Sequence, residues 1–246
     1  MKLAAIADIH GNCAALEAVL ADIDRLGIDD IVNLGDHVSG PLEARKTAEL
    51  LVARDFPSIQ GDQDRRLLEL YVRGPQASKR KDFCSLENEH FEWMARQPQT
   101  LTFQGEIFMC HGSPRGDTTF WLHNVDDRGV MHATSIDDIE AEAEGIEASV
   151  ILCAHTHIPR IVRLRDGRLV VNPGSVGLPG YVVREPVEHA VQTGTPDACY
   201  AVLERYSKAW NVTFRYVPYD SKPMAELARS CNMPTWANAL ETGWAE

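Results

Sequence analysis

The 246-residue sequence predicts an α/β fold built on a mixed sheet. Three observations predict it. Over the first third, short apolar runs alternate with amphipathic helical patterns, and β-α-β-α-β order implies parallel pairing with right-handed crossovers. Over the last third, strand-length runs flank turn signals, which implies antiparallel pairing. The composition, 44% hydrophobic and 24% charged, is globular and excludes wholesale disorder.

Each element has its own signal. Residues 2–7 are an apolar run of strand length. Residues 12–26 place Leu16, Val19, Leu20, Ile23 and Leu26 mostly three or four apart, a helical stripe that Gly27 ends. Residues 31–34 are the next strand, 41–54 the next helix and 57–60 a short third strand. Residues 64–72 read as helix, 73–81 as a basic loop, 86–96 as helix and 106–110 as strand. Residues 112–135, with Phe120, Trp121 and His123, read as a long ordered loop or small cap. Residues 137–147 are a helix with six carboxylates and no Lys or Arg, the pattern of a solvated face. A strand at 150–153 follows. Residues 160–165 and 168–171 flank Asp166-Gly167, a hairpin signal. Residues 179–197 read as loop, and 198–205 with 211–217 as a second strand pair. Beyond Pro218 a short helix carries Trp236 and Trp244 and packs on the body or on a partner chain. The chain thus divides into a main domain over 1–220 and a helical tail over 221–246.

Composition narrows function. The formal charge of −12 argues against a general nucleic-acid or anionic-membrane binder. No apolar run approaches the roughly 20 residues of a membrane span, and the apolar start is too short for a signal peptide. The six cysteines form no C-x-x-C pair, and Cys110 and Cys153 sit inside apolar runs, which fits a reduced cytoplasm better than a disulfide framework. No Walker lysine motif is present. Gly174, Gly177 and Gly180 precede no strand-to-helix step, so they are not a dinucleotide fingerprint.

Five segments carry chemistry. Asp8-Ile9-His10, Gly35-Asp36-His37, Gly61-Asp62-Gln63-Asp64, His111-Gly112 and His155-Thr156-His157 each follow a predicted strand. In an open α/β sheet those positions converge at one edge. Three carboxylates and four imidazoles brought together without a cation would repel or be forced to protonate. Divalent metals resolve that, and the donor set suits Mn, Fe, Zn or Ni. Seven ligands are too many for one ion and suit two that share a carboxylate. Spacing i, i+2 in extended backbone aims Asp8 with His10, and His155 with His157, at the same edge.

Asp8-x-His10, Gly35-Asp36, Gly61-Asp62-x-Asp64, His111 and Ala154-His155-Thr156-His157 resemble, in order and spacing, the D-x-H, G-D, G-N-H-D/E, H and G-H-x-H motifs of the calcineurin-like metallophosphoesterases. The segments 8–12, 35–41 and 171–177 resemble the small bacterial phosphodiesterase branch. The G-D-x-x-D-R-G arginine of the protein-phosphatase branch is missing from 35–41. The resemblance implies a two-layer mixed β-sandwich flanked by helices, an α-β-β-α fold. It also implies two divalent metal ions, with Mn expected first and Fe, Zn or Ni as alternatives. Carried over by motif, Asp8, His10 and His157 hold one ion, Asp36 bridges, and Asp62, His111 and His155 hold the other. The implied activity is hydrolysis of a small phosphorylated substrate, a phosphodiester or a nucleotide, by a hydroxide between the metals.

Two positions depart from the pattern. Asp62 stands where the family has Asn, adding a negative charge. Gln63 stands where the family has the His assigned to protonating the leaving oxygen, and an amide cannot do so. His37 or His123 is then a candidate substitute acid, unless the leaving group needs no proton. Asn12 and Arg115 are candidate substrate contacts, with helix capping and a solvated loop as the plainer readings. Asn172 and Ser175 are candidate partners that orient the ligands. Asp64 fits a helix N-cap. The basic stretch Arg65, Arg66, Arg73, Lys79, Arg80 and Lys81 reads as a solvated face, with a site for a long anionic substrate as the lesser reading. A weakened or non-catalytic metal-binding scaffold of the same fold stays open, as does a nucleoside polyphosphate pyrophosphohydrolase that stacks a base on Phe120 or Trp121. A homo-oligomer is compatible with all of these.

Overall fold

Side chains alternate faces along a strand, and that alternation sorts this molecule into layers. The computed structural model describes residues 1–207 and 209–245. The first elements are β1 (Lys2–Ile6), α1 (Cys13–Arg25), β2 (Asp30–Asn33), α2 (Ala44–Arg54), α3 (Asp62–Arg73), α4 (Lys81–Ser85) and α5 (Asn88–Arg96). The middle holds β3 (Leu101–Phe103), β4 (Ile107–Met109), β5 (His123–Val125), β6 (Met131–Ala133), α6 (Ile136–Glu142) and β7 (Val150–Leu152). Then come β8 (Arg160–Arg163), β9 (Leu169–Asn172), β10 (Gly180–Val183), β11 (His189–Gln192), β12 (Ala198–Tyr206), β13 (Ala209–Val217), α7 (Lys222–Ser230) and α8 (Pro234–Thr242).

One sheet has the order β13-β12-β1-β2, with β1 parallel to β2 and antiparallel to β12. The other has the order β3-β4-β7-β9-β8, with β7 parallel to both β4 and β9. Leu3 and Ala5 of β1 and Leu203 of β12 share one buried cluster with Met109, Leu152 and Val171 of the second sheet. The alternate positions face outward. Ala4, Ile6 and Tyr200 meet Leu16, Val19 and Ile23 of α1, while Ile151 and Val170 meet Ile139 of α6. The architecture is therefore the expected two-layer mixed β-sandwich flanked by helices. Each fully buried Leu, Ile or Val here contributes about 1.5–3 kcal/mol through its apolar area. Cys110 and Cys153 lie in the apolar layer between sheet and α6. No helix among the described residues is long and apolar enough to cross a membrane.

Several elements differ from their sequence signals. Residues 57–60 form one parallel bridge, Asn33 to Ser58, rather than a strand. Pro57 has no N–H to give, and the N–H of Gln60 turns away to the carbonyl of Pro98. Residues 179–197 hold the hairpin β10–β11, and 112–135 the hairpin β5–β6. Strands of three or four residues are too short to show a period. The basic loop ends in α4, and α3 starts two residues earlier than its apolar stripe. The tail is two helices, because Pro234 cannot continue α7 and instead opens α8. It lies on the body: Met224, Ala228 and Leu240 bury against Leu42.

A polar tie fixes α1 to the sheet. Asp22 accepts from the Tyr200 hydroxyl at 2.7 Å and from Nε and Nη2 of Arg215 at 2.6 and 3.0 Å. The hydrogen bond from Arg215 holds the Asp22 carboxyl below its ordinary value, with Tyr200 and Arg25 adding to it. Asp22→Leu leaves the buried Tyr200 hydroxyl without its acceptor and is expected to destabilise by about 1–3 kcal/mol in urea unfolding. A folded pKa that is depressed means the contribution is present above the unfolded pKa and lost as pH falls through the folded one. The gap between wild type and variant should therefore narrow below about pH 4.

Candidate metal centre

Loops at the carboxyl ends of strands from both sheets meet at one place. Asp8 and His10 follow β1, and Asp36 follows β2. His111 follows β4, His155 and His157 follow β7, and Asp62 opens α3. The seven side chains gather into two groups, Asp8, His10 and His157, and Asp36, Asp62, His111 and His155, each with its ligating atoms within 4.8 Å of one another. Oδ2 of Asp36 is 3.6 Å from Nε2 of His10 and 3.6 Å from Nε2 of His111, so one carboxylate oxygen faces both groups. Nε2 of His157 is 3.2 Å from Nε2 of His10 and 3.4 Å from Oδ1 of Asp8, and Nδ1 of His155 is 3.2 Å from Oδ1 of Asp62. Donors bonded to one ion at about 2.0–2.2 Å lie roughly 3.0–3.5 Å apart, so these separations have the scale of coordination edges.

The i, i+2 pairs do converge, but not through extended backbone. Asp8, His10, Asp36, His155 and His157 all have positive φ, between 51° and 69°. Asp and His tolerate that region better than most residues, yet each such position costs of order 1 kcal/mol or more. Hydrogen bonds between the loops hold the strain: Asp8 N donates to Gly35 O at 3.0 Å and His10 N to Asp36 O at 3.0 Å. Gly61 is the floor under Asp36. A Cβ there would lie 2.1 Å from Asp36 Oδ1, which instead accepts from the backbone N–H of Gln63 at 2.9 Å.

The inward-facing polar atoms fit a cation. Both oxygens of Asp8, Oδ1 of Asp62 and Nε2 of His111 are buried without a hydrogen-bond partner. Buried charges left unpaired cost several kcal/mol, roughly, which a coordinated ion recovers. The tautomers also fit. Nδ1 of His157 donates to Leu178 O at 2.6 Å and Nδ1 of His111 to Leu34 O at 2.7 Å. A carbonyl only accepts, so Nδ1 carries the proton and Nε2 is left as a ligand. Nδ1 of His10 is 2.9 Å from Ser39 Oγ. Burial pulls His10 below its ordinary pKa, toward the neutral ligating form. Burial opposes the charge of Asp8, but His157, His111 and His10 hold its carboxyl down at about 2. Burial also disfavours a charged His111, yet Asp36, Asp62 and Asp8 raise it well above its ordinary value. A metal must displace that proton to bind.

The sequence matches the family model described as the calcineurin-like phosphoesterase superfamily domain over residues 1–202. The chain belongs to the calcineurin-like phosphoesterase superfamily. An uncharacterized protein of Methanocaldococcus jannaschii is 24% identical, over 95% of this chain and 94% of its own length. A metallophosphoesterase from Sphaerobacter thermophilus superposes with a TM-score of 0.72 at 24% identity, over 99% of each chain. A hypothetical protein from Pyrococcus horikoshii superposes at 0.73 with 21% identity, over 100% of this chain and 99% of its own. These two structures share the fold along the full length, tail included.

Against the superfamily pattern, the two departures at 62 and 63 are physically coupled. Oδ2 of Asp62, the oxygen turned away from His155, accepts from Nε2 of Gln63 at 2.8 Å and lies 3.3 Å from Nη1 of Arg66. The extra carboxylate charge is thus met by an amide donor and a guanidinium one turn along α3. This clamp has only a weak sequence signal, an acid and an Arg four residues apart.

The other predicted residues fall in varied places. Asn172 donates to Ala154 O at 2.9 Å and Thr156 Oγ1 at 3.0 Å, and Ser175 Oγ donates to Asp8 O at 2.8 Å, so both pin ligand loops. Asn12 is not a substrate contact. Its carbonyl caps α1 and its amide donates to Gly177 O and Tyr219 Oη, all in the interior. Arg115 reaches away from the cleft to Ala141 O. His37 is wholly buried, paired with Asp64 at 2.8 Å and edge-on to Trp93, so it is no substitute acid. His123 is on β5 and outside the cleft lining, with burial and then Arg160 lowering it to about 4. Asp64 is the third residue of α3 rather than its N-cap, which is Gly61, and it ties the backbone N–H groups of Gly61, Asp36 and His37 together. Trp121 is buried and bonded to Ile139 O, which leaves Phe120, beside His155, as the one of that pair near the metal groups. Sequence reasoning missed Ser39 on His10, and Tyr181, whose ring meets His157 edge-on and whose hydroxyl donates to His155 O at 3.0 Å.

Asn172→Ala removes both tethers on the His155–His157 loop. Metal affinity, measured by competition with a chelating dye, is expected to fall about 10–100-fold while the circular dichroism spectrum is kept.

Proposed function

We propose that the protein is a phosphodiesterase that works with two divalent metal ions. The observation that carries the reading is Oδ2 of Asp36, equidistant from imidazoles of both groups. Asp8, His10 and His157 would hold one ion, and Asp62, His111 and His155 the other, with Asp36 between them. Imidazole and carboxylate donors suit Mn, Fe, Zn or Ni, and Mn is the first choice for assay. When bound, the ions supply Lewis acidity at phosphorus and lower the pKa of an attacking water.

The chain's own residues do the rest. Leu34 O, Leu178 O and Ser39 orient the ligand imidazoles. Asn172 and Ser175 fix the loops that carry them. Gln63 holds Asp62 through its side chain and Asp36 through its backbone. None of these supplies a proton to a leaving oxygen, and His37 and His123 lie outside the cleft. The arrangement therefore favours esters whose leaving group departs unprotonated, such as aryl esters or anhydrides. Strained backbone at five ligand positions and buried carboxylates without partners speak for a protein that holds metal, and turnover separates the enzyme from a metal-binding scaffold. The six free thiols suit a reducing cytoplasm.

With Mn²⁺ the protein is expected to hydrolyse bis-p-nitrophenyl phosphate and to hold two ions per chain by elemental analysis. Asp36→Asn should lose at least one ion and cut kcat by about a thousandfold, a magnitude typical of removing a major transition-state stabiliser. Turnover absent with Mn, Fe, Zn and Ni alike, in protein shown to hold metal, would sink the reading.

Restoring an acid at 63 tests the leaving-group argument. Asp62→Asn with Gln63→His is expected to raise the rate on an alkyl phosphodiester by about 10²-fold, the low end of general-acid catalysis. The p-nitrophenyl ester should change far less. Equal response of the two esters would defeat the argument.

A further inference from the structure

The metal groups open onto a cleft of about 540 Å³ whose lining divides by chemistry. One part is apolar: Leu178, Val182, Met233 and Trp236. Trp236 lies edge-on to His10 with ring centroids 5.8 Å apart, and its ring rests on Gly40, where a Cβ would come within 2.4 Å of it. The other part is cationic: Lys79, Arg80 and Lys81 line the same cleft. In a chain of net charge −12, three successive cations at the mouth of an anion-directed site run against the average.

All three side chains are exposed at the cleft mouth, and two of them are tethered there. Arg80 forks onto Asp82 at 2.6 and 3.1 Å, and the buried Asp82 also accepts from Gly40 N at 2.8 Å. Lys81 Nζ donates to Pro41 O at 3.0 Å. The segment is thereby fastened to the Ser39–Pro41 turn, and Ser39 touches His10. Arg80 and Lys81 spend their charged groups on this fastening. Lys79 has no hydrogen-bond or carboxylate partner among the described residues, and it is the cation of the segment left to meet a ligand.

The metal centre alone is a modest anion trap. Asp8, Asp36 and Asp62 would offset three of the four charges that two divalent ions bring and a hydroxide nucleophile the fourth, so the centre has no charge to spare for a second anionic group. A second anionic group on the substrate needs its own counter-charge, and Lys79 supplies one. We infer that the cleft selects phosphodiesters bearing a planar organic group and a second, terminal phosphate, with Lys79 holding that phosphate and Trp236 covering the planar group. The inference rests on the phosphodiesterase reading and names the substrate class within it.

Two chromogenic esters with the same scissile bond test it: thymidine 5′-(p-nitrophenyl phosphate) and the same ester carrying a 3′-phosphate. With Mn²⁺, wild type should favour the 3′-phosphorylated ester at least tenfold in kcat/KM, and this ratio should shrink with added salt. Lys79→Ala and Lys79→Gln should each lower the ratio at least fivefold, Lys79→Arg should keep it, and Arg73→Ala, on the exposed side of α3, should not move it. In parallel, calorimetry on the Mn-loaded protein compares thymidine 3′,5′-bisphosphate with thymidine 5′-phosphate and inorganic phosphate. The bisphosphate should bind most tightly, its advantage should vanish in the Lys79 variants, and Trp236→Ala should weaken both nucleotides at least fivefold relative to inorganic phosphate. Turnover of both esters at a ratio near one, or a ratio unchanged in the Lys79 variants, overturns the inference and leaves the hydrolase standing. Lys79-dependent binding of the bisphosphate without release of p-nitrophenolate from either ester overturns the hydrolase and leaves the phosphate site. A bisphosphate that binds no better than thymidine 5′-phosphate overturns the inference whatever the turnover.

Discussion

Two imidazole nitrogens 3.2 Å apart, His10 Nε2 and His157 Nε2, state the constraint on which the structure turns. His157 donates its other nitrogen to a carbonyl, so the nitrogen facing His10 is a bare lone pair. Around them stand three buried carboxylates, two of them with oxygens that have no partner. Hydrogen bonds within the chain leave both oxygens of Asp8 and Oδ1 of Asp62 unsatisfied. A positive charge satisfies them. Left-handed backbone at five ligand positions, glycine beneath Asp36 and Asn172 behind the His155–His157 loop all hold donor atoms close against their mutual repulsion.

The sandwich makes that confinement possible. Ligands come from the ends of β1 and β2 in one sheet and of β4 and β7 in the other, and the buried layer between the sheets fixes the ends against each other. Core packing tolerates little shift, since interiors are packed as tightly as organic crystals. The ligand distances are thus set by side chains such as Leu3, Met109 and Leu152 that touch no ligand atom. The same division of labour appears at the cleft, where Asp82 and Arg80 fasten a segment and leave Lys79 free at the cleft mouth.

The legibility of these features in the sequence follows their physics. Six of the seven candidate ligands are readable because they follow strands, whose ends converge in this fold whatever the loops between them do; Asp62 follows only the bridge at Ser58 and opens α3. The strands β1 and β12 are readable as apolar runs, but runs buried on both faces show no alternation, so the two layers follow from the family resemblance rather than from the pattern. The hairpins β5–β6 and β10–β11 are not, since three or four residues carry no measurable period and their pairing is decided by contacts distant in sequence. Tyr181 and Trp236 come to the centre from such segments. His37 shows the converse error. It sits beside Asp36 in sequence, but the turn that aims Asp36 inward sends His37 to Asp64 and Trp93 in the core. Asn12, similarly, was legible as a cap and is one.

The separation of His10 from His157 has one more consequence. They are 147 residues apart, one from each sheet. Any tie between them closes a loop that takes in more than half of the chain, which is the arrangement in which a cross-link most restricts the unfolded ensemble. Occupancy of this one position then acts as a reversible staple. Local fraying of the tail or of the β5–β6 hairpin would leave it intact, whereas its loss would leave the packed layer alone to hold the sheets together. Resistance to proteolysis of the whole molecule becomes a report on a contact a few ångströms wide.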